Sequence, residues 1–205
     1  MRFSKRQLKQ HIIVQIFWEN NTLKKNDKKI AETTLLLLRN KNWNDLSLLE
    51  IKKKSKIKKF DNLIKNKKII IKKINEYFDF MLLIESKNIE QSNNKDMIFE
   101  ILMIRFDIFQ KYRKGVISIF KSFKNNPQDI FFLLPDILES IVMMMELTNI
   151  SLKGIKGQLK IKGIFIIYIS SFLTWIKDDT ASLEKTMIAL DENLNQAGKI
   201  ITLIK

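Results

Sequence analysis

Apolar residues recur along most of the chain at spacings of three and four, which is the periodicity of amphipathic α-helices. The apolar runs are long, and neither Asn-Gly nor Asp-Gly, the usual hairpin dipeptides, occurs anywhere in the sequence. Only 5 of the 205 residues are glycine, so sharp turns between short strands are not expected. The pattern therefore predicts an all-α fold.

The first part of the chain is predicted to contain several short helices. An amphipathic segment runs to about Trp18, and the polar stretch 19–27 separates it from a helix through Ile30 and Leu38 that ends near Asn42. The next helix is expected to begin after Ser47.

Ser47 and Glu50 form a Ser-x-x-Glu capping box, in which the hydroxyl and the carboxylate each satisfy a free backbone N–H. A helix is therefore expected over residues 48 to 55. A short helix is expected over residues 58–65, followed by a longer one from Lys67 with an apolar stripe.

The polar segment 88–94 is the expected domain boundary. It divides the chain into an N-terminal extension (1–26), a small helical domain (27–88) and a larger helical domain (89–205). Pro127 fits a helix start, whereas Pro135 should kink or split its helix. The helices expected in the larger domain cover residues 95–112, 115–125, 128–148, 156–177 and 181–203.

The last two helices carry regular apolar stripes, with spacings that alternate between four and three. Such stripes either pack inside the monomer or meet a second copy of the chain. We expect the second, a homodimer, because the spacing is more regular than an irregular core requires. The last helix carries Leu183, Met187, Leu190, Leu194, Ala197, Ile201 and Ile204. The predicted interface consists of Tyr168, Phe172, Trp175, Leu183, Met187, Leu190 and Leu194.

Positive charge is concentrated at one end of the chain. Residues 1–80 contain 18 Lys and 3 Arg against 8 acidic residues, a net charge of +13, whereas residues 81–205 have a net charge of +2. Frequent lysine from an AT-rich genome would be spread along the whole chain, so the asymmetry indicates an anionic partner for the first domain. A solvated charged face is the simpler alternative.

The first domain also resembles a known family. The run from Ile30 to Leu38, Trp43, the segment 47–51, Ile57 and the helix after Lys67 are similar to the N-terminal domain of TetR-type transcriptional regulators. The resemblance implies a three-helix helix-turn-helix domain that binds duplex DNA, followed by a ligand-binding helical domain that dimerises through its last two helices.

The match departs from the family at the turn. Lys52 and Lys56 stand where the family has a small residue and a glycine, and the segment 57–67 is shorter than its usual recognition helix. Asn62 is a candidate for reading adenine, and the lysines are candidates for phosphate contacts. The candidate DNA contacts are Ser47, Lys52, Lys53, Lys54, Lys58, Lys59, Asn62, Lys65, Lys67 and Lys68.

The C-terminal part is similar to the lipid-binding accessory proteins of ubiquinone biosynthesis, which share the TetR-like fold. Trp175, the pair 178–179, Thr186 and the pair 190–191 match that group's pattern. This resemblance implies an alternative function, in which the apolar domain binds a lipid or isoprenoid, one helix touches a membrane, and DNA is not bound.

The second domain is rich in Phe and Met, which suit an adaptable apolar pocket as well as an ordinary core. We expect the pocket, and the partner it implies is an apolar small molecule or lipid. Its candidate lining residues are Phe99, Met103, Phe106, Phe120, Phe131, Met143 and Met144.

Catalysis has little support in the sequence. His11 is the only histidine, cysteine is absent, and no Gly-rich phosphate loop or metal-ligand cluster occurs, so we expect no enzyme, no cofactor and no metal site. The absence of cysteine and of a secretory signal favours the cytoplasm. The longest uncharged apolar run, residues 163–176, is shorter than the roughly 20 residues that span a bilayer, so a buried helix is expected there.

Overall fold

The computed structural model describes residues 24–89, 92–148 and 150–203. All regular structure within them is helical, which confirms the all-α prediction for this part of the chain. A short 3-10 helix, Ser86–Asn88, follows the fourth α-helix. The α-helices are α1 (Lys25–Leu37), α2 (Leu48–Ser55), α3 (Phe60–Leu63), α4 (Lys67–Glu85), α5 (Asn94–Lys111), α6 (Arg113–Ser122), α7 (Gln128–Glu146), α8 (Gly154–Lys177) and α9 (Glu184–Leu203).

Some predicted features lie outside the described residues. These are the amphipathic segment that ends near Trp18, His11, Ile204 and the side chain of Ile201.

The contacts divide the chain into two units. Among the described residues, the first unit contains 24–84 and 112–136, and the second contains 85–89, 92–111, 137–148 and 150–203. The division predicted from the sequence placed everything after residue 88 together. Residues 112–136 instead belong with the first unit, where the Trp43 N–H donates to the Ser118 hydroxyl at 2.6 Å.

In the first unit, α1 buries Ile30, Ala31 and Leu35 on one face, and the Thr34 hydroxyl donates to the Ile30 carbonyl at 2.7 Å. The helix ends at Leu37 rather than near residue 42. The following N–H groups donate to carbonyls three residues back, so the chain tightens into a turn before the polar run.

Helix α4 confirms the stripe expected after Lys67. Ile70, Ile74 and Phe78 are buried along it. The Tyr77 and Tyr112 hydroxyls lie 3.0 Å apart, which joins α4 to the segment that returns from residue 112.

Pro135 does not split its helix, because α7 is continuous through it. The missing N–H leaves the Phe131 carbonyl without its usual helical partner. Both residues are exposed, so water can hydrogen-bond to that carbonyl, and the helix continues at low cost.

The second unit has an aromatic core. The Phe106 and Tyr168 rings stack with centroids 5.8 Å apart, and the Phe109 and Trp175 rings form an edge-to-face pair with centroids 5.7 Å apart. Helices α8 and α9 pack against each other and against α5. Trp175 and Leu190 are fully buried by this packing.

Candidate nucleic-acid interface and ligand pocket

The capping box predicted at the start of α2 is present. The Ser47 hydroxyl accepts the Glu50 N–H at 3.2 Å, and the Glu50 carboxylate accepts the Ser47 N–H at 2.9 Å. A hydrogen bond from Lys41, followed by those from Ser47, lowers the pKa of Glu50 to about 2. The start of α2 is therefore fixed, and the Ser47 hydroxyl predicted to contact DNA is already engaged in the cap.

The turn after α2 is made by Lys56, whose φ of 54° lies in the left-handed region. Its N–H donates to the Lys52 carbonyl at 3.1 Å, which closes the helix in the way that a C-terminal glycine usually does. A lysine in this conformation is strained by about 1 kcal/mol relative to glycine.

Helix α3 is a single turn, Phe60–Leu63, and is shorter than the predicted helix over 58–65. Phe60 and Ile64 are buried at its two ends and anchor it to the first unit. Asp61 pairs with Lys52 at 2.5 Å, so the solvent-facing side of this turn carries one acidic residue that is already neutralised.

Six lysines around α2 and α3 are exposed and make no ion pair with any described residue. Five of these lysines were predicted as DNA contacts, as was Asn62, which is also exposed. Lys56 was not predicted, because the sequence indicated only that it lies in the turn. We call the six lysines the lysine patch. They are Lys53, Lys54, Lys56, Lys58, Lys59 and Lys65.

Three other predicted DNA lysines are engaged within the first unit. Lys52 pairs with Asp61, and Lys68 pairs with Asp129 at 2.8 Å. Lys67 donates to the Trp43 carbonyl, and the Lys67 ammonium lies 4.5 Å from the centroid of the Trp43 ring. Burial lowers the pKa of Lys67. The Lys67 contact joins α4 to the corner between α1 and α2. Lys52 joins α2 to α3, and Lys68 joins α4 to α7, so the three residues have structural roles.

A pocket of about 460 Å³ opens on the second unit, and its lining mixes soft apolar side chains with carboxylates. Phe99 and Met103 were predicted to line a pocket, whereas the acidic residues of α5 were not. Periodicity gives no signal for them because they lie at the solvent edge of the helix. The lining residues are Asp96, Phe99, Glu100, Met103, Asp107, Ser182 and Met187.

The other five predicted pocket residues are not gathered there. Phe106, Met143 and Met144 are buried and fill the core of the second unit. Phe120 and Phe131 belong to the first unit, where Phe120 is half-buried and Phe131 is 73% exposed. No group of three or more metal-ligating side chains occurs in the described ranges.

The predicted dimer stripe is largely covered by the chain itself. Trp175, Leu183, Leu190 and Leu194 are buried in the second unit, as is Tyr168, while Phe172 is half-buried. Met187 alone among the seven is exposed. The interpretation of this stripe as a surface for a second copy is thus corrected: α8, α9 and α5 bury it within one chain.

The same helices expose other apolar residues. Ile155, Leu159, Ile166 and Leu173 are solvent-exposed on α8, and Ile188 is exposed on α9. The expected burial of residues 163–176 therefore holds for one face of α8 only. By length and composition α8 is the one described helix that could cross a membrane, a test that core helices of soluble proteins also pass.

The connection between α8 and α9 is organised by Asp178, which is fully buried. Its carboxylate accepts the Thr186 N–H at 2.8 Å and the Thr186 hydroxyl at 2.7 Å, and two further hydrogen bonds come from Thr180. Burial alone would raise the pKa of Asp178, but these hydrogen bonds lower it to about 2. The Trp-Asp-Thr-Leu pattern seen in the sequence is therefore accounted for by packing and capping.

Comparisons with protein-family models, with curated proteins and with solved structures gave no match for this chain.

Proposed function

We propose that the chain is a TetR-like, DNA-binding transcriptional regulator whose second unit senses a small molecule. The observation that carries the proposal is the lysine patch: six exposed lysines, which make no ion pair with any described acidic residue, surround a capped α2 and the turn that follows it. Ammonium groups that are not neutralised within the protein remain available to replace the counterions of a phosphate backbone.

Base reading is expected to contribute less than phosphate binding. No arginine occurs between residues 40 and 104, and bidentate arginine is the commonest specific contact to guanine. The exposed amide of Asn62 suits adenine. Because α3 has only one turn, few side chains reach base edges, and the target sequence is expected to be short and rich in A·T pairs.

Fluorescence anisotropy with duplex DNA at several salt concentrations tests the proposal. Replacing Lys53, Lys54, Lys58 and Lys59 by Gln should weaken binding and reduce the salt slope by roughly 0.9 for each lost phosphate contact. A matched control removes the same charge from the second unit, at Lys153, Lys156, Lys162 and Lys177. Absence of binding at low salt, or equal losses in both variants, would contradict the proposal.

The proposed regulator acts as a homodimer, as two-fold binding to paired half-sites requires. Its interface is expected on the exposed residues Ile166 and Leu173 rather than on the buried stripe. Replacing Ile166 and Leu173 by Lys should give a folded monomer in sedimentation velocity experiments. A wild-type chain that is already monomeric at micromolar concentration would rule the dimer out.

A lipid- or isoprenoid-binding accessory protein of ubiquinone biosynthesis is the second candidate. The pocket lined by Phe99 and Met103, together with the aromatic core of the same unit, is the observation that favours it. Native mass spectrometry of the purified chain separates the two functions. Copurified quinone or isoprenoid without affinity for DNA supports the accessory role, whereas salt-dependent DNA binding without such a lipid supports the regulator.

A further inference from the structure

The start of α8 combines exposed apolar residues with lysines that form no ion pair within the described part of the chain. Ile155 is 78% exposed and Leu159 is 62% exposed, and both lie on one side of the helix because they are four residues apart. Four exposed lysines surround them: Lys153, Lys156, Lys160 and Lys162. We call this set of six residues the α8 tip.

The α8 tip has a defined structure beneath its exposed side. Gly157 lies on the opposite side of the helix and is buried, and a Cβ atom there would be 1.9 Å from the Leu152 carbonyl oxygen. The Lys160 ammonium donates to the Ser151 carbonyl at 3.2 Å. The preceding loop therefore packs against the back of the helix and leaves Ile155 and Leu159 facing outwards.

Charge decides what can cover these two residues. Between residues 147 and 177 the chain contains five lysines and no acidic residue. A second copy placed on the α8 tip about a two-fold axis would bring two sets of four lysines together, which is unfavourable. A surface of anionic phospholipid headgroups complements the lysines and accepts the apolar side chains just below the headgroups.

We infer that the α8 tip binds the surface of anionic phospholipid bilayers, with Ile155 and Leu159 inserted at the acyl boundary. The lysines keep their ammonium groups among the phosphates while their methylene stems cover the apolar patch. The start of α8 lies at the headgroup surface of the bilayer, and the helix does not cross the bilayer. This binding uses different residues from the lysine patch, so it does not depend on the proposed function.

The absence of cysteine allows a direct test with the full chain. Leu159→Cys is labelled with an environment-sensitive nitrobenzoxadiazole dye, and vesicles of phosphatidylcholine with or without phosphatidylserine are added. The dye should brighten and shift to the blue only with phosphatidylserine. Leu49→Cys is the matched control, since Leu49 is 71% exposed on α2, next to the lysine patch.

The label results have clear alternatives. A response at position 159 without one at position 49 supports insertion of the α8 tip. Equal responses at both positions would mean that the basic chain adheres without a preferred face, and no response at position 159 would mean that the tip stays in water. Either result overturns the inference. A response that appears without vesicles as protein concentration rises would assign the surface to a second copy, and this also overturns it.

Vesicle sedimentation gives a second readout. Ile155→Ser with Leu159→Ser should lower partition onto anionic vesicles at least tenfold, and each lysine of the tip replaced by Gln should lower it roughly fivefold. Leu36→Ser with Leu49→Ser makes the same chemical change on exposed residues of the first unit and should leave partition unchanged. Equal partition of the two double variants would contradict insertion. All four positions are exposed, so both variants are expected to fold.

Discussion

In α1 of the first unit, the apolar residues Ile30, Ala31 and Leu35 form one stripe and are buried, and no lysine of the helix is buried. In α8 of the second unit, apolar residues occur around most of the helix. Ile164 and Trp175 are buried there, but Ile166 and Leu173 are not. An amphipathic helix specifies which of its faces is covered, whereas a helix that is apolar on most sides specifies only that some face is covered.

Neighbouring residues of α9 provide the strongest test of this contrast. Leu190→Ala removes a fully buried side chain and should lower the free energy of unfolding by about 2–5 kcal/mol. Ile188→Ala removes an exposed one and should change it by less than about 0.5 kcal/mol. Urea unfolding of both variants measures the difference. Similar small losses would mean that Leu190 does not belong to the core of the second unit.

The hydrogen bonds of Asp178 predict the next largest effect. Its pKa of about 2 in the folded chain, against about 3.9 when unfolded, corresponds to about 2 kcal/mol of stability at neutral pH. Because the folded pKa is depressed, this stability is present above pH 4 and is lost as the pH falls towards 2. Asp178→Asn should therefore lower stability at pH 7 and flatten its dependence on pH in this window.

Asp179→Asn is the control for that measurement. Its carboxylate is exposed and pairs with Lys185 at 2.5 Å, so its replacement should cause little change. If Asp178→Asn kept the full acid dependence of the wild-type chain, other carboxylates would be responsible for it.

The sequence was sufficient where the local signal was strong. The capping box at Ser47 and the apolar stripe of α4 were predicted because their residue types act through neighbours three or four positions away. The return of residues 112–136 to the first unit depends on distant contacts such as that between Trp43 and Ser118. No local pattern encodes such a contact.

The site residues divide in the same way. A net charge counts Lys52, Lys67 and Lys68 equally with their exposed neighbours, but Asp61, Trp43 and Asp129 engage them in the folded chain. The buried stripe of α9 was assigned to a second copy for a related reason. Regular spacing indicates a helix that packs tightly, and it does not identify the partner.

Two glycines of α8 offer a comparison within one helix. Gly157→Ala places a methyl group against the Leu152 carbonyl, so the loop must shift, and stability should fall by roughly 1–3 kcal/mol. Gly163 has no neighbouring atom within 4 Å of an added Cβ, so Gly163→Ala should raise stability by about 0.5–1 kcal/mol. A lower melting temperature for Gly157→Ala and a higher one for Gly163→Ala would support the packing of the loop against the Gly157 side of α8. A stabilising Gly157→Ala would show that the loop does not lie there.

The smallest expected effect lies in the lysine patch, at the turn after α2. Lys56→Gly relieves a left-handed conformation and should raise the free energy of unfolding by about 1 kcal/mol. Lys53→Gly removes the same charge from the interior of α2 and should lower the free energy by a similar amount. Because each variant loses one exposed lysine of the patch, DNA affinity should fall to the same extent in both while their stabilities diverge. If both variants lost stability equally, residue 56 would not adopt the left-handed turn, and the arrangement of lysines around it would have to differ.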